Sequence, residues 1–540
     1  MKEVQSSDDA RGRFFGAGGE ENGGKQHRPG RLLAFFKGLV LLALVGAATY
    51  GILRDGLYDD ELWLPVGAAI LALLFVTLFV RGFYMGLPQA GMILVALLAA
   101  LVAVKGISMV WTISETETIK ETLRSSMYLA TFLMTLAALT SGRQAGPLID
   151  VSVVIVAAVA GYGLLQKISP VEYPVQSLDG VRVDSTLAYP NTAAVILGMG
   201  AVLALARMTM MRNFLLRGLY AVLALSFMIT LYLTVSRGGI GSLGIGLIVL
   251  FVLGSRRLQM LANLLLLSIP GVWLWWQMQS LPGLLATDAT GQEKLADGTA
   301  FRNDLIVALI VAFVLQAGYA FVVNRYELLP APRRWLRIIA GVGLVLAACA
   351  GAFVVVAGYG GVGAAYEALV SNPNQTGNLG QRLVSFGIGF REDYWRVAWE
   401  AWKELPLTGT GAGTFQYTWL QDRPGVQGVK QVHNLYLEQG TETGLFAFLA
   451  LMGFVAVLLG YTGKAVWRSR GERRLLLAGL VSALVVYLVS SVFEWHWYLP
   501  ASTMFFFILA AVAVRFASRE DWGVAEADTP PANGGPTRAD

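Results

Sequence analysis

The chain has 540 residues, 55% of them hydrophobic and 14% charged, with a mean hydropathy of +0.58. A soluble domain carries about 25% charged residues, so the composition excludes an ordinary soluble fold and points to an integral membrane protein. The formal net charge of +5 is small for this length and argues against a nucleic-acid partner, and the single cysteine, Cys349, excludes an intramolecular disulfide.

In chain order, residues 1–31 (MKEVQSSDDARGRFFGAGGEENGGKQHRPGR) are polar and glycine-rich and are expected to form a disordered cytoplasmic tail, with His27 chemically idle. A membrane-spanning helix needs about 20 apolar residues. By that rule about fourteen spans are expected: 33–53, 62–80, 89–110, 125–141, 147–165, 192–208, 214–234, 239–254, 259–277, 301–322, 336–357, 442–461, 475–493 and 500–516. They define a first transmembrane bundle (32–357), a large extracytoplasmic loop (358–438), C-terminal transmembrane helices (439–518) and a second loose tail (519–540). The fold class expected is therefore an all-α polytopic membrane protein.

The connections alternate in charge. Arg81, Arg143, Arg207, Arg212, Arg256, Arg257, Arg468, Arg470, Arg473 and Arg474 fall in one set. The other set is acidic or mixed: 54–61, 114–124, 166–190, 278–300 and 358–438. Lys and Arg favour the cytoplasmic side, which puts both termini inside and the long 358–438 segment outside. Lys37 is expected to snorkel inward; Lys105, near the outer end of the third span, is either a functional charge or a snorkelling one.

Several motifs mislead. GGIGSLGIG (238–246) has the GxGxxG spacing but opens a membrane helix, where small residues serve close helix packing. GTGAG (409–413) lacks the Lys-Ser/Thr of a phosphate loop, and NQT (374–376) reads as a chance sequon. No cluster of metal-ligand spacing is visible, so no metal site and no cofactor are expected.

Four outer-side features converge. Arg182 precedes Pro190-Asn191, which lead into a helix. Ser236-Arg237 occupy a turn between two spans that leaves almost no loop, so Arg237 is expected to be partly buried beside an anion. In FREDYWRVAWEAWKELPLTGTGAGTF (390–415), Arg391 begins an amphipathic helix whose Trp395, Trp399 and Trp402 share one face laid on the membrane, and Pro406 ends it. His433, one of three histidines, stands at the mouth of a membrane helix in QVHNLYLEQGTETG (431–444). Each also has a structural reading: lipid-headgroup contact, a salt bridge, an interfacial belt or a hydrogen-bonded ring. Arginine binds phosphate oxygens bidentately without losing its charge, so three arginines and one histidine suggest a lipid-linked diphosphate. The histidine is then either the base for an attacking hydroxyl or a donor to phosphate. Asn434, Glu438, Glu494 and His496 are candidate acceptor or orienting groups, with interfacial packing the alternative for the last two.

HNLYLEQGTETG, with His433, Asn434 and Gly444, together with YPN (189–191), SRGG (236–239), the R-x-x-Y-W…P-L-x-G-x-G run (391–411) and WHWYLP (495–500), resembles the O-antigen ligase/polymerase superfamily of bacterial envelope glycosyltransferases. The resemblance covers roughly residues 35–515. It implies a GT-C-like helical membrane fold that transfers a glycan from undecaprenyl diphosphate, with inversion and without a metal, to a glycan or glycolipid acceptor at the outer face of the bacterial inner membrane. Carried onto this chain, it makes His433 the base and Arg182, Arg237 and Arg391 the diphosphate ligands. A polymerase joining lipid-linked repeats uses the same donor, and a lipid-linked oligosaccharide flippase is the rival from another class.

Overall fold

The computed structural model describes residues 30–326 and 391–518. The expected span 336–357, Cys349, the 374–376 sequon, both tails and His27 lie outside the described residues. Ten helices precede the gap: α1 (Arg31–Ile52), α2 (Asp60–Leu78), α3 (Gln89–Ile107), α4 (Glu115–Ala138), α5 (Ala145–Ile168), α6 (Pro190–Met210), α7 (Phe214–Leu233), α8 (Arg237–Leu253), α9 (Arg257–Met278) and α10 (Gly291–Tyr326). Five follow: α11 (Arg391–Glu404), α12 (Phe415–Asp422), α13 (Leu435–Arg468), α14 (Gly471–Ser490) and α15 (Pro500–Ser518). The described residues contain no strand, as expected where backbone groups must be satisfied within lipid.

Eleven of these helices are long and apolar enough to cross a membrane. The expected count of about fourteen is not reached among the described residues, for physical reasons. Helix α8 is apolar but only 17 residues long. Helix α4 is long enough, but Glu115, Glu117, Lys120, Glu121 and Arg124 make its first three turns polar.

The helices run alternately up and down. One end of the bundle gathers the connections 53–59, 108–114, 169–189, 234–236, 279–290, 405–434 and 491–499; the other gathers 79–88, 139–144, 211–213, 254–256 and 469–470. Helices α6, α14 and α15 are almost wholly buried, whereas α1, α2, α3, α9 and α10 bury only a stripe each. The core therefore lies around α6, α14 and α15, ringed by helices whose outer faces are apolar. Close approach to this core explains GGIGSLGIG. A side chain at Gly239 would collide with Ala194 on α6, and one at Gly246 with Val486 on α14.

Two lysines of the spans are buried and partnered within the protein. Lys37 is buried and donates to the Ala137 carbonyl at 2.8 Å, satisfying a backbone acceptor in the last turn of α4. Lys105 is fully buried, 3.5 Å from Glu121 and with its ammonium 5.0 Å from the Trp497 ring centre. Glu121 also pairs with Arg124, whose guanidinium lies 4.8 Å from the Trp63 ring centre. Charges buried this deeply persist only when paired or hydrogen-bonded.

Helix α11 also differs from expectation in the face it buries. Tyr394, Val397, Ala398 and Ala401 form the buried stripe, set against α12 and α13. Trp399 is half exposed, and Trp395 and Trp402 flank the stripe, packing on Phe493 and Phe448 with ring centres 6.1 and 5.0 Å apart. Helix α11 thus packs on protein through the residues beside its tryptophans.

Candidate functional site

The site is built around a break in α13. Gly444 sits at φ 69°, ψ −169°, a conformation essentially restricted to glycine, so the helical ladder is interrupted there. The freed groups find partners in the PLTGTGAG segment. Leu445 N–H donates to the Pro406 carbonyl at 2.9 Å, Thr410 N–H to the Thr441 carbonyl at 3.2 Å and Gly411 N–H to the Glu442 carbonyl at 2.8 Å. The Glu442 carboxylate accepts from Gly413 N–H at 2.7 Å and Phe415 N–H at 3.1 Å. One kink therefore locks the 405–415 loop, and with it α11 and α12, to the first two turns of α13.

Those two turns begin at Asn434. Its side-chain oxygen accepts from Tyr436 N–H and Leu437 N–H, both at 3.1 Å, which makes it a helix N-cap. Leu435 N–H donates to the Ser491 carbonyl at 2.9 Å, tying the helix start to the 491–499 loop. Between cap and loop, His433 is held at φ 58°, a left-handed conformation that a residue with a β-carbon adopts only when its surroundings enforce it. Its ring lies 5.6 Å from Tyr394 and 6.2 Å from Trp495, centre to centre.

The ring faces Glu494. His433 Nδ1 is buried and lies 3.7 Å from Glu494 Oε2, just beyond hydrogen-bond reach. Glu494 accepts from Tyr189 Oη at 2.6 Å and Asn191 Nδ2 at 2.7 Å, and it pairs with Arg391. Arg391 also donates through Nε to the Phe493 carbonyl at 2.8 Å. Asn191 accepts from Arg182 Nη2 at 2.5 Å, and Arg182 Nε donates to the Thr234 carbonyl at 2.8 Å. A continuous polar chain thus runs from Arg182 through Asn191 and Glu494 to Arg391, with His433 beside it. Thr234 precedes the turn in which Ser236 caps α8 through Gly239 N–H, and Arg237, half-buried, is the first residue of that helix.

The electrostatics suit a proton acceptor. Burial pushes the Glu494 carboxyl up, but the Arg391 guanidinium outweighs it and holds the group well below the usual carboxylate range. Burial also lowers the His433 pKa from its ordinary 6.5, and Glu494 only partly restores it. At neutral pH the ring is uncharged beside an ionised carboxylate. Glu494 favours the tautomer with a proton on Nδ1, leaving the Nε2 lone pair available.

The remaining candidates take other positions. His496 is fully buried, with Nδ1 2.9 Å from Thr192 Oγ1 and Nε2 2.7 Å from Ser490 Oγ. Burial holds its pKa down to about 4, so it is a neutral strut across two hydroxyls. Glu438 is buried and accepts from Tyr498 Oη at 2.8 Å, with no hydrogen bond or ion pair to His433. Tyr189, Asn191 and Trp495 stand in motifs that the sequence offers, but without a role: Tyr189 and Asn191 bridge Arg182 to Glu494, and the Trp495 ring lies 4.6 Å from Tyr189 and 5.4 Å from Tyr58. Pro190 at the first turn of α6 was the available signal, because it fixes where Tyr189 and Asn191 must stand.

Residues 305–452 match a family model described as O-antigen ligase. The interval includes Arg391, His433, Asn434, Glu438 and the Gly444 kink; Arg182, Asn191, Arg237 and Glu494 lie outside it. The search of curated proteins gives no match.

Proposed function

We propose, from the match of residues 305–452 to the O-antigen ligase family model and from the site geometry, that this chain is a member of that superfamily and an inverting glycosyltransferase. It moves a glycan from undecaprenyl diphosphate to an acceptor hydroxyl. The observation that carries this reading is the juxtaposition of a neutral, carboxylate-backed His433 with Arg391 and the Arg182–Asn191 arm at one end of the bundle.

The chemistry follows from those groups. His433 Nε2 takes the proton of the acceptor hydroxyl as its oxygen attacks the anomeric carbon. The bond from that carbon to the diphosphate oxygen breaks on the opposite face, and the diphosphate leaves with the electron pair. Arg182, Arg237 and Arg391 hold the diphosphate and stabilise its developing charge, so the step needs no metal ion. Glu494 stabilises the imidazolium that forms. Asn434 acts indirectly, by capping α13 and so fixing the backbone that presents the ring. The site end is acidic or mixed and the opposite end is rich in arginine, which supports an extracytoplasmic site in a bacterial inner membrane.

The test is glycan transfer in proteoliposomes from an undecaprenyl-diphosphate-linked donor, at equal folded protein. His433→Ala should lower kcat about 10²–10⁴-fold with donor binding kept, the range for losing a general base. Arg237→Ala should chiefly weaken donor binding. Undiminished transfer by His433→Ala would remove the base from the mechanism.

A further inference from the structure

A cavity of about 170 Å³ opens at the same end of the bundle, and none of its lining residues has a role in the transfer step proposed above. Its walls come from the start of α2, the first turns of α4 and the 413–431 segment, closed by Tyr58 and Tyr498. It adjoins the His433 site. Gln431 lines it two residues before His433, and the Tyr58 ring packs on Trp495, which also lies against Tyr189 and His433.

The lining is unusual for a bundle otherwise so apolar. Four carboxylates face three cationic side chains, so the charge nearly cancels. Lys120 bridges Asp60 at 2.6 Å and Glu117 at 3.5 Å. Arg124 is nine-tenths buried, paired to Glu121 and lying over Tyr498, yet its Nε is buried with no hydrogen-bond partner. An unsatisfied donor of this kind costs free energy unless a ligand or water completes it. A strongly anionic ligand would meet four carboxylates, and a simple cation would meet three cations. A neutral polyhydroxyl fits both. Its hydroxyls donate to carboxylates and accept from Lys120 and Arg124, while its carbon faces lie on the two tyrosines.

We infer that this cavity is a saccharide subsite, holding a neutral sugar of one of the two substrates so that the glycan is aligned with His433. The inference rests on the transferase reading in its reference to substrates; the saccharide binding itself does not.

Two measurements test it. In the transfer assay, the double variant Glu117→Gln/Lys120→Met, at partly exposed positions, should raise one KM about tenfold with kcat little changed. A rise in the acceptor KM assigns the cavity to the acceptor, a rise in the donor KM assigns it to the donor glycan, and no rise in either overturns the inference. Independently, saturation-transfer NMR uses the protein in nanodiscs and lipid-free oligosaccharide released by mild acid from the envelope of the native cells. Wild type and His433→Ala should both saturate the sugar protons, and the double variant should not. Absent saturation in wild type, or equal saturation in the double variant, overturns the inference. Saturation lost only in the double variant, with no transfer by wild type under any condition, would refute the proposed reaction and leave the saccharide site standing.

Discussion

At the scale of single residues, Glu494 decides what His433 can do. Its carboxylate is already committed to Tyr189, Asn191 and Arg391, so it holds the ring electrostatically, across 3.7 Å. The His433 pKa lies below 6.5, and the ring is a base only above its pKa, so transfer should rise as pH increases through that region and level off towards neutrality. Glu494 raises the His433 pKa and Arg391 lowers it. In Glu494→Gln, Arg391 acts unopposed. The acid limb of kcat/KM should therefore move to lower pH, while the plateau drops at least about tenfold because the imidazolium loses its counter-charge. An acid limb left in place would mean that Glu494 does not act on the proton acceptor. His433, Arg182 and Arg391 were legible in the sequence because rare or charged groups stood at the mouths of apolar segments. The bridging role of Asn191 was not, because 303 positions separate it from the Glu494 it contacts. The ion pair that buries Lys105 was not legible for a related reason: hydropathy sees the depth of a charge, and its partner Glu121 comes from another helix.

At the scale of elements, the break at Gly444 links the two longest motifs of the chain. The helix from Asn434 to Thr443 presents His433, and the 406–411 segment supplies the groups that the break leaves unpaired. A side chain at Gly444 would need a glycine-only conformation and would meet the Leu407 carbonyl. Gly444→Ala should cost about 1–3 kcal/mol, read as a lowered Tm in detergent, and should slow transfer because α11 carries Arg391 on the same support. Gly460, deeper in α13 with nothing within 4 Å of its missing side chain, is the control. Gly460→Ala should be neutral or stabilising, by up to about 1 kcal/mol. Equal Tm values for the two variants would show that the break is not a structural support. Most elements were legible, since apolar length alone marks a span. The buried face of α11 was not, because a tryptophan stripe at helical spacing looks the same whether it packs or flanks the packed stripe. The number of spans is not settled among the described residues: α4 and α8 run from end to end of the bundle, but α4 is polar where its charges pair inside the protein and α8 is short.

For the whole molecule, activity depends on which end of the bundle faces the cytoplasm. The proposed donor chemistry requires the His433 end to be extracytoplasmic. The up-and-down order of helices puts Ser280 at that end and Arg143 at the other, and both are exposed. The opposite end also carries Arg81, Arg207, Arg212, Arg256, Arg257 and Arg470 to Arg474 in its connections and helix ends, a bias that orients polytopic chains with such loops inward. Since Cys349 is the only cysteine, a Cys349→Ser background gives a clean readout. In intact spheroplasts, a membrane-impermeant maleimide should label Ser280→Cys in that background and leave Arg143→Cys unlabelled until the cells are lysed. The reverse pattern would put His433, Glu494 and the arginines on the cytoplasmic side. There they could not meet a glycan donor in the outer leaflet, and the transferase reading would fall however well the residue-level experiments behaved.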